Sequence, residues 1–196
     1  MNFEQWRCYS LACFWQLLKQ PDKALAAYRL SIAQGPRFSK ALASIAFIHA
    51  SQGRFDEAER FFAEALQIEP DNANTHFNLG YARDKLGRHQ QAIASFAEAV
   101  RLYPALDRAW YGMGMACAAL GRHGDAVDAF GKAAELQPMS TPVWLQLGMA
   151  CHHAHNPQRV REVILHLNRF DPIMARQLIR DTGASDMAHL VKDLAV

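Results

Sequence analysis

Five prolines, Pro36, Pro70, Pro104, Pro138 and Pro172, recur every 34 residues without slipping a position. A fixed period of this length marks a chain assembled from stacked copies of one supersecondary unit. Proline lacks the backbone N–H and pushes the preceding residue out of the helical region, so each one marks where the last helix of a unit stops. Other positions keep the same beat. An alanine in the first four units (Ala24, Ala58, Ala92, Ala126) is followed four residues later by an aromatic (Tyr28, Phe62, Phe96, Phe130), and the fifth unit has Val160 and Ile164 instead. Earlier in every unit an apolar residue precedes a small one: Leu11-Ala12, Ile45-Ala46, Leu79-Gly80, Met113-Gly114 and Leu147-Gly148.

The third unit shows what one copy folds into. Phe77, Leu79, Ala82 and Leu86 recur at two- to four-residue spacing up to Gly87, and Ala92, Ile93, Phe96, Ala97, Val100 and Leu102 do so again before Pro104. The pattern predicts two amphipathic helices joined at a glycine turn, with Asp71 or Asn72 capping the first. Gly80 and Ala92 are expected to leave room for each other's backbone and for neighbouring aromatics, while Phe96 fills space between successive pairs. One pair leaves an apolar face wet, so at least three must stack. The end units deviate: Lys19 and His155 replace the turn glycine, each followed two residues later by a proline, Pro21 or Pro157. Beyond Pro172 the register stops. Ile173 to Thr182 reads as a helix ending at Gly183, and a shorter helix from about Asp186 carries Met187, Leu190, Val191 and Leu194 on one face, which together make a C-terminal cap.

Composition narrows the function classes. A formal charge of +2 with no clustered run of Lys and Arg gives no nucleic-acid footprint. Arg54, Arg88 and Arg122, one per turn, read as a solvated rim. Cys8, Cys13, Cys117 and Cys151 lack a C-x-x-C spacing and fall on predicted helices, as free cysteines of a reducing compartment do. No stretch approaches the ~18 consecutive apolar residues of a spanning helix. The apolar segment Cys8 to Leu18 is read as a mature helix and not as an export leader, because it lies in phase with the repeat. The expected location is cytoplasmic, with no membrane partner.

The pattern resembles the tetratricopeptide repeat family over residues 5 to 174. The fourth unit is closest, with Trp110, Met113-Gly114, Gly121, Ala126, Phe130, Ala133 and Pro138 at signature positions, whereas the third has His76 where the family favours tryptophan. The resemblance implies an all-α, right-handed superhelical solenoid of five repeats (5–38, 39–72, 73–106, 107–140 and 141–174) as one domain, with 175–196 as capping helices. It also implies a concave wall formed by the first helix of each repeat, where Trp6, Cys13, Gln16 and Lys40 fall among other residues. On that wall Tyr9, Phe47, Phe77, Tyr81, Tyr111, Met115 and Met149 would supply apolar contact, with Asn74, Asn78 and Arg108 holding a ligand's backbone or acidic group. The expected activity is a non-enzymatic scaffold or adaptor for a peptide or amphipathic helix of another protein. A family subclass clamps an acidic C-terminus with five polar residues, but here only Asn78 and Arg108 match, and Ala43, Phe47 and Gly112 occupy the other places.

Remaining signals point away from catalysis. The chain has no nucleophile elbow, zinc-protease motif or phosphate-binding glycine loop, so no catalytic residue, cofactor or metal is expected. Cys151, His152, His153 and His155 are the densest set of metal-ligand types. Helical neighbours point about 100° apart, so at most two of them could share an ion. The first helix, apolar around most of its circumference from Trp6 to Leu18, is expected either to line the groove or to be covered by another chain, a second copy or a partner's helix.

Overall fold

The computed structural model describes residues 3–35 and 37–191. The regular structure among them is helical: α1 (Phe3–Leu17), α2 (Pro21–Gln34), α3 (Ser39–Ser51), α4 (Phe55–Ile68), α5 (Ala73–Lys85), α6 (His89–Leu102), α7 (Asp107–Ala119), α8 (His123–Leu136), α9 (Thr141–His153), α10 (Pro157–Leu167), α11 (Pro172–Thr182) and a 3₁₀ segment, Ser185–Val191. No helix among the described residues is long and apolar enough to cross a membrane. The chain divides into two compact units, Met1–Tyr103 and Pro104–Val196. In the first, α1 to α6 pack each against the next. In the second, α7 to α11 do the same, and α11 also reaches back onto α9.

Local chemistry sets the helix ends. Pro21, Pro157 and Pro172 open α2, α10 and α11, where a missing N–H costs no helical bond. Asn72, and not Asp71, caps α5, its carboxamide oxygen accepting from the Thr75 N–H at 3.0 Å. Asn156 and Asp171 do the same for α10 and α11. Every turn within a pair uses one left-handed residue. In the middle repeats it is Gly53, Gly87 or Gly121, with φ of 76°, 72° and 70°, and in the end repeats it is Lys19 or His155, with φ of 54° and 55°. The end repeats therefore keep the turn without the residue that adopts it cheaply, at a strain of ~1–2 kcal/mol each.

The repeated aromatics are the core: Tyr28, Phe62, Phe96 and Phe130 are buried, as are Val160, Ile164 and Leu167 in the last repeat. Their partner is the small residue of their own pair. A Cβ on Gly80 would come within 2.7 Å of the Phe96 ring, and one on Gly114 within 2.7 Å of Phe130. Gly80 thus makes room for the ring, a neighbouring aromatic as expected from sequence. In the last repeat Ile164 is no ring, and the space above Gly148 is taken by Leu178 of α11, 2.5 Å from where a Cβ would lie. This knob from α11 closes the array. After α11 ends at Gly183 (φ 68°), the Ala184 N–H returns to the Ile179 carbonyl at 3.1 Å. The expected last helix is a 3₁₀ segment that buries Met187; Leu194 and the Val191 side chain lie outside the described residues.

A further repeated hydrogen bond explains the tryptophan position. The Trp110 indole donates to the Pro104 carbonyl at 2.8 Å and Trp144 to Pro138 at 2.9 Å. His76 makes the same contact to the Pro70 carbonyl at 2.8 Å. A carbonyl only accepts, so the imidazole must carry its proton on Nε2, and His76 preserves the donor of the residue it replaces.

Candidate peptide-binding cleft

In the first unit the inner faces of α1, α3 and α5 border a cleft of about 320 Å³. Because these are the first helices of three successive repeats, residues 34 or so apart converge there. Tyr9 and Gln16 come from α1, Lys40, Ser44 and Phe47 from α3, and Asn74 and Asn78 from α5, with Glu69 at the rim. Tyr9 is held in place by the rings of Tyr28, Phe38 and Trp6, at centroid distances of 5.5, 5.1 and 5.6 Å. Burial raises its phenol above the ordinary pKa, so it is neutral at physiological pH. The Gln16 carboxamide oxygen accepts from the buried Tyr28 hydroxyl at 2.7 Å, which aims its amide as a donor. Phe47 is 50% exposed, a large apolar surface at the cleft wall. The Lys40 ammonium sits 5.5 Å above the Trp6 ring, and Ser39 donates to the Glu69 carboxylate at 2.6 Å.

Of the ten residues expected on the inner wall, Tyr9, Phe47, Asn74 and Asn78 share this cleft. Phe77 does not line it and packs on Phe96 with centroids 5.9 Å apart. Tyr81 turns its edge to Phe55 at 6.1 Å and lies under the Lys85 ammonium at 5.3 Å, half-exposed beyond the cleft. In the second unit Tyr111 packs on Phe130 at 5.6 Å, Met149 is half-buried, and Met115 and Arg108 are exposed. A cavity of about 450 Å³ in that unit lies elsewhere, bordered by the end of α9, the start of α10 and the turn after α11, with Arg161 paired to Asp186 at 2.8 Å. Ser44 and Glu69 are cleft residues that the inner-wall register does not select. Glu69 lies at the C-terminus of α4, and only the turn back into α5 brings it to the rim.

The other candidate groups find partners. Arg88 pairs with Glu59 and, at 3.0 Å, with Asp56; Arg122 holds Asp125 at 2.6 Å, and Arg54 bonds Gln52. Arg83 joins this set by bridging Glu59 and the buried Ser95, both at 2.8 Å, which ties α4 to α5 and α6. Cys151 is fully buried and its thiol is pushed up to about 11 by desolvation, while His153 stacks on His123 at 5.0 Å. Among the described residues no three or more His, Cys, Asp or Glu side chains are placed to hold an ion together.

A chain whose described regular structure is helical throughout, in tandem hairpins with a small residue packed on an aromatic in the first four, is a repeat protein of the solenoid class. Two tetratricopeptide repeat family models match it, over residues 38–105 and 77–140, together more than half of the chain. The chain belongs to the tetratricopeptide repeat family. Among solved structures, that of MamA matches with a TM-score of 0.78 and 17% identity, covering 100% of this chain and 99% of that one. YrrB, described as a tetratricopeptide repeat protein with an unusual peptide-binding site, matches at 0.78 and 19% identity over 88% of this chain and 90% of its own. A 51-residue stretch is 41% identical to the Drosophila melanogaster Protein O-mannosyl-transferase Tmtc2, but it is 26% of this chain and 5% of that protein. At these identities the structural likenesses show the fold.

Proposed function

We propose that this protein is a non-enzymatic adaptor that binds an extended peptide segment of another protein in the cleft of its first unit. The observation that carries the reading is the convergence of Tyr9, Phe47, Asn74 and Asn78 from three successive repeats on one open cleft. Carboxamides suit a peptide backbone because each offers both a donor and an acceptor. Phe47 offers apolar area to one side chain, and Lys40 favours an acidic group nearby. Tyr81 and the half-buried Phe77 would extend the contact within the first unit, and Arg108, Tyr111, Met115 and Met149 would offer contacts on the first helices of the second unit. YrrB, whose description names a peptide-binding site, supports this class of ligand.

The test is selection of a displayed random peptide library on the full chain, with titration of the winners against variants. Phe47→Ala and Asn78→Ala are each expected to weaken binding at least ~5-fold, about 1 kcal/mol, with helicity unchanged. Selected peptides whose affinity neither substitution alters would place the site on another surface.

A second reading, self-association through α1, is favoured by a different observation: Leu11 and Phe14 stand about half exposed on that helix. The two readings use separate surfaces.

A further inference from the structure

The outward face of α1 has no covering helix among the described residues, and the repeat itself shows what belongs there. Counting 34 residues on from Arg7, Leu11 and Phe14 gives Ala41, Ile45 and Ile48 of α3, which are 0%, 0% and 3% exposed. One repeat further, Thr75, Leu79 and Ala82 of α5 are equally buried, and Val143, Leu147 and Ala150 of α9 repeat the result in the second unit. These are positions that first helices bury against the pair before them, as α3 does on α2, α5 on α4 and α9 on α8. On α1 the same positions are wet: Leu11 is 48% and Phe14 51% exposed.

The face extends beyond those two. At 100° per residue, Phe3, Leu11, Phe14, Leu17 and Leu18 fall with Glu4, Arg7 and Ser10 within one arc of about 140°. Phe3 and Leu17 are 77% and 80% exposed. With ~150–250 Å² for a whole aromatic side chain and less for leucine, these five apolar residues expose roughly 500 Å². That approaches the largest patch of an ordinary monomer. Two such faces brought together bury roughly 1,000 Å² from these side chains alone, which reaches the range of a specific interface before any flanking residue is counted.

The spacing on this face sets the register in which a second copy can lie. Glu4, Arg7, Leu11, Phe14 and Leu18 follow one another at intervals of three, four, three and four, the seam of a paired coil. Where α1 has Phe14, α3 has Ile48 and α5, α7 and α9 have Ala82, Ala116 and Ala150. Phe14 is the bulkiest side chain at this register and the one left half exposed.

Resting on the self-association reading, we propose that α1 is a two-fold interface on which a second copy of this chain lays its own α1 antiparallel. In that register Leu11 of each copy packs on Phe14 of the other, and Leu18 covers the aliphatic stem of the other Arg7. Glu4, bridged to Arg7 at 2.6 Å, lies at the rim with its charge in water. The arrangement is isologous and closed, so it yields a dimer and not a filament.

Sedimentation velocity of the full chain up to roughly 100 µM is expected to show a reversible dimer. Phe14→Glu and, separately, Leu11→Lys are each expected to weaken it at least ~100-fold with circular dichroism unchanged, since both residues are surface positions in the monomer. A strict monomer at the highest concentration overturns self-association and the proposal together. A dimer that survives both substitutions leaves self-association standing and overturns this interface. The register has its own test, with Cys8 and Cys13 replaced by serine or, if that background misfolds, by alanine. A Leu11→Cys chain mixed with a Phe14→Cys chain should form the mixed disulfide, and disulfides formed within each pool alone overturn the antiparallel arrangement.

Discussion

Replacing Gly114 with alanine tests whether the ring of the same repeat dictates the small residue. The new Cβ would lie 2.7 Å from both Cδ1 and Cε1 of Phe130 and 2.9 Å from its Cγ, about 1 Å inside the optimal carbon–carbon separation of ~3.5–4.0 Å. Phe130 is completely buried and cannot swing into solvent. Overpacking of this kind costs ~1–3 kcal/mol, against a gain of ~1 kcal/mol from alanine's better helix propensity. Ala12 and Ala46 already occupy the same register beside Tyr28 and Phe62, so a pair can open enough to take a methyl group; with the overpacking cost at ~2 kcal/mol and not at the top of its range, the net loss after the propensity gain is ~1 kcal/mol. The internal control is Gly131→Ala in α8, where nothing lies within 4 Å of a Cβ and propensity alone acts, a gain of ~0.5–1 kcal/mol. Urea titrations followed at 222 nm should therefore move the two midpoints in opposite directions with an unchanged slope. In a Phe130→Leu background the Gly114→Ala penalty should shrink by at least ~1 kcal/mol, the coupling expected of residues in contact. Equal stabilisation by Gly114→Ala and Gly131→Ala would refute the argument.

Two further outcomes follow from the backbone and the core. Lys19→Gly and His155→Gly should each stabilise by ~0.5–1 kcal/mol, the left-handed strain removed less the entropy of a freer unfolded chain; melting points that fall would show that these side chains make contacts outweighing the strain. His49 is buried against Phe61 with no partner for either ring nitrogen, and burial first, then Arg54, Arg29 and Arg60 against the opposing Glu57, lowers its pKa. Its neutral form is favoured in the fold, so the unfolded chain binds the extra proton below about pH 6.5 and the contribution present above that pH is lost as pH falls through the lower folded value. His49→Phe should therefore flatten the decline of melting temperature between neutral and mildly acidic pH, and an identical decline in both proteins would remove His49 as its source.

Much of the fold could be read from residue order because a repeat states its rule several times. The helix pairs and the buried aromatics follow from spacings that no other element accommodates, and α11 was placed to within one residue. What residue order left open was settled in three dimensions. Gly80 was expected to leave room for a backbone and for neighbouring aromatics, and packing decides which ring it faces, here Phe96. The stretch after Gly183 has apolar residues at helical spacing, but its seven residues wind as a 3₁₀ segment onto α11, since so short a piece takes its conformation from the surface it covers.

The candidate site was less legible. The inner-wall register selects Tyr9, Phe47, Asn74, Phe77 and Tyr81 alike in the first unit, because periodicity assigns a residue to a helix face and says nothing about the direction its side chain takes. Aromatic neighbours made that choice: Phe96 draws Phe77 inward and Phe55 holds Tyr81 beyond the cleft. Glu69 reaches the rim through the turn between α4 and α5 and belongs to no first helix.

The amino-acid order alone carried the period, the helix boundaries and the class of the protein, because those rest on local geometry: proline stops, glycine turns and apolar spacing act within a few residues of themselves. Which wall residues meet across 34 positions, which small residue serves which ring, and which faces stay wet are properties of packing. They depend on contacts between segments far apart in the chain, and they emerged when the helices were stacked and each side chain competed for the same space.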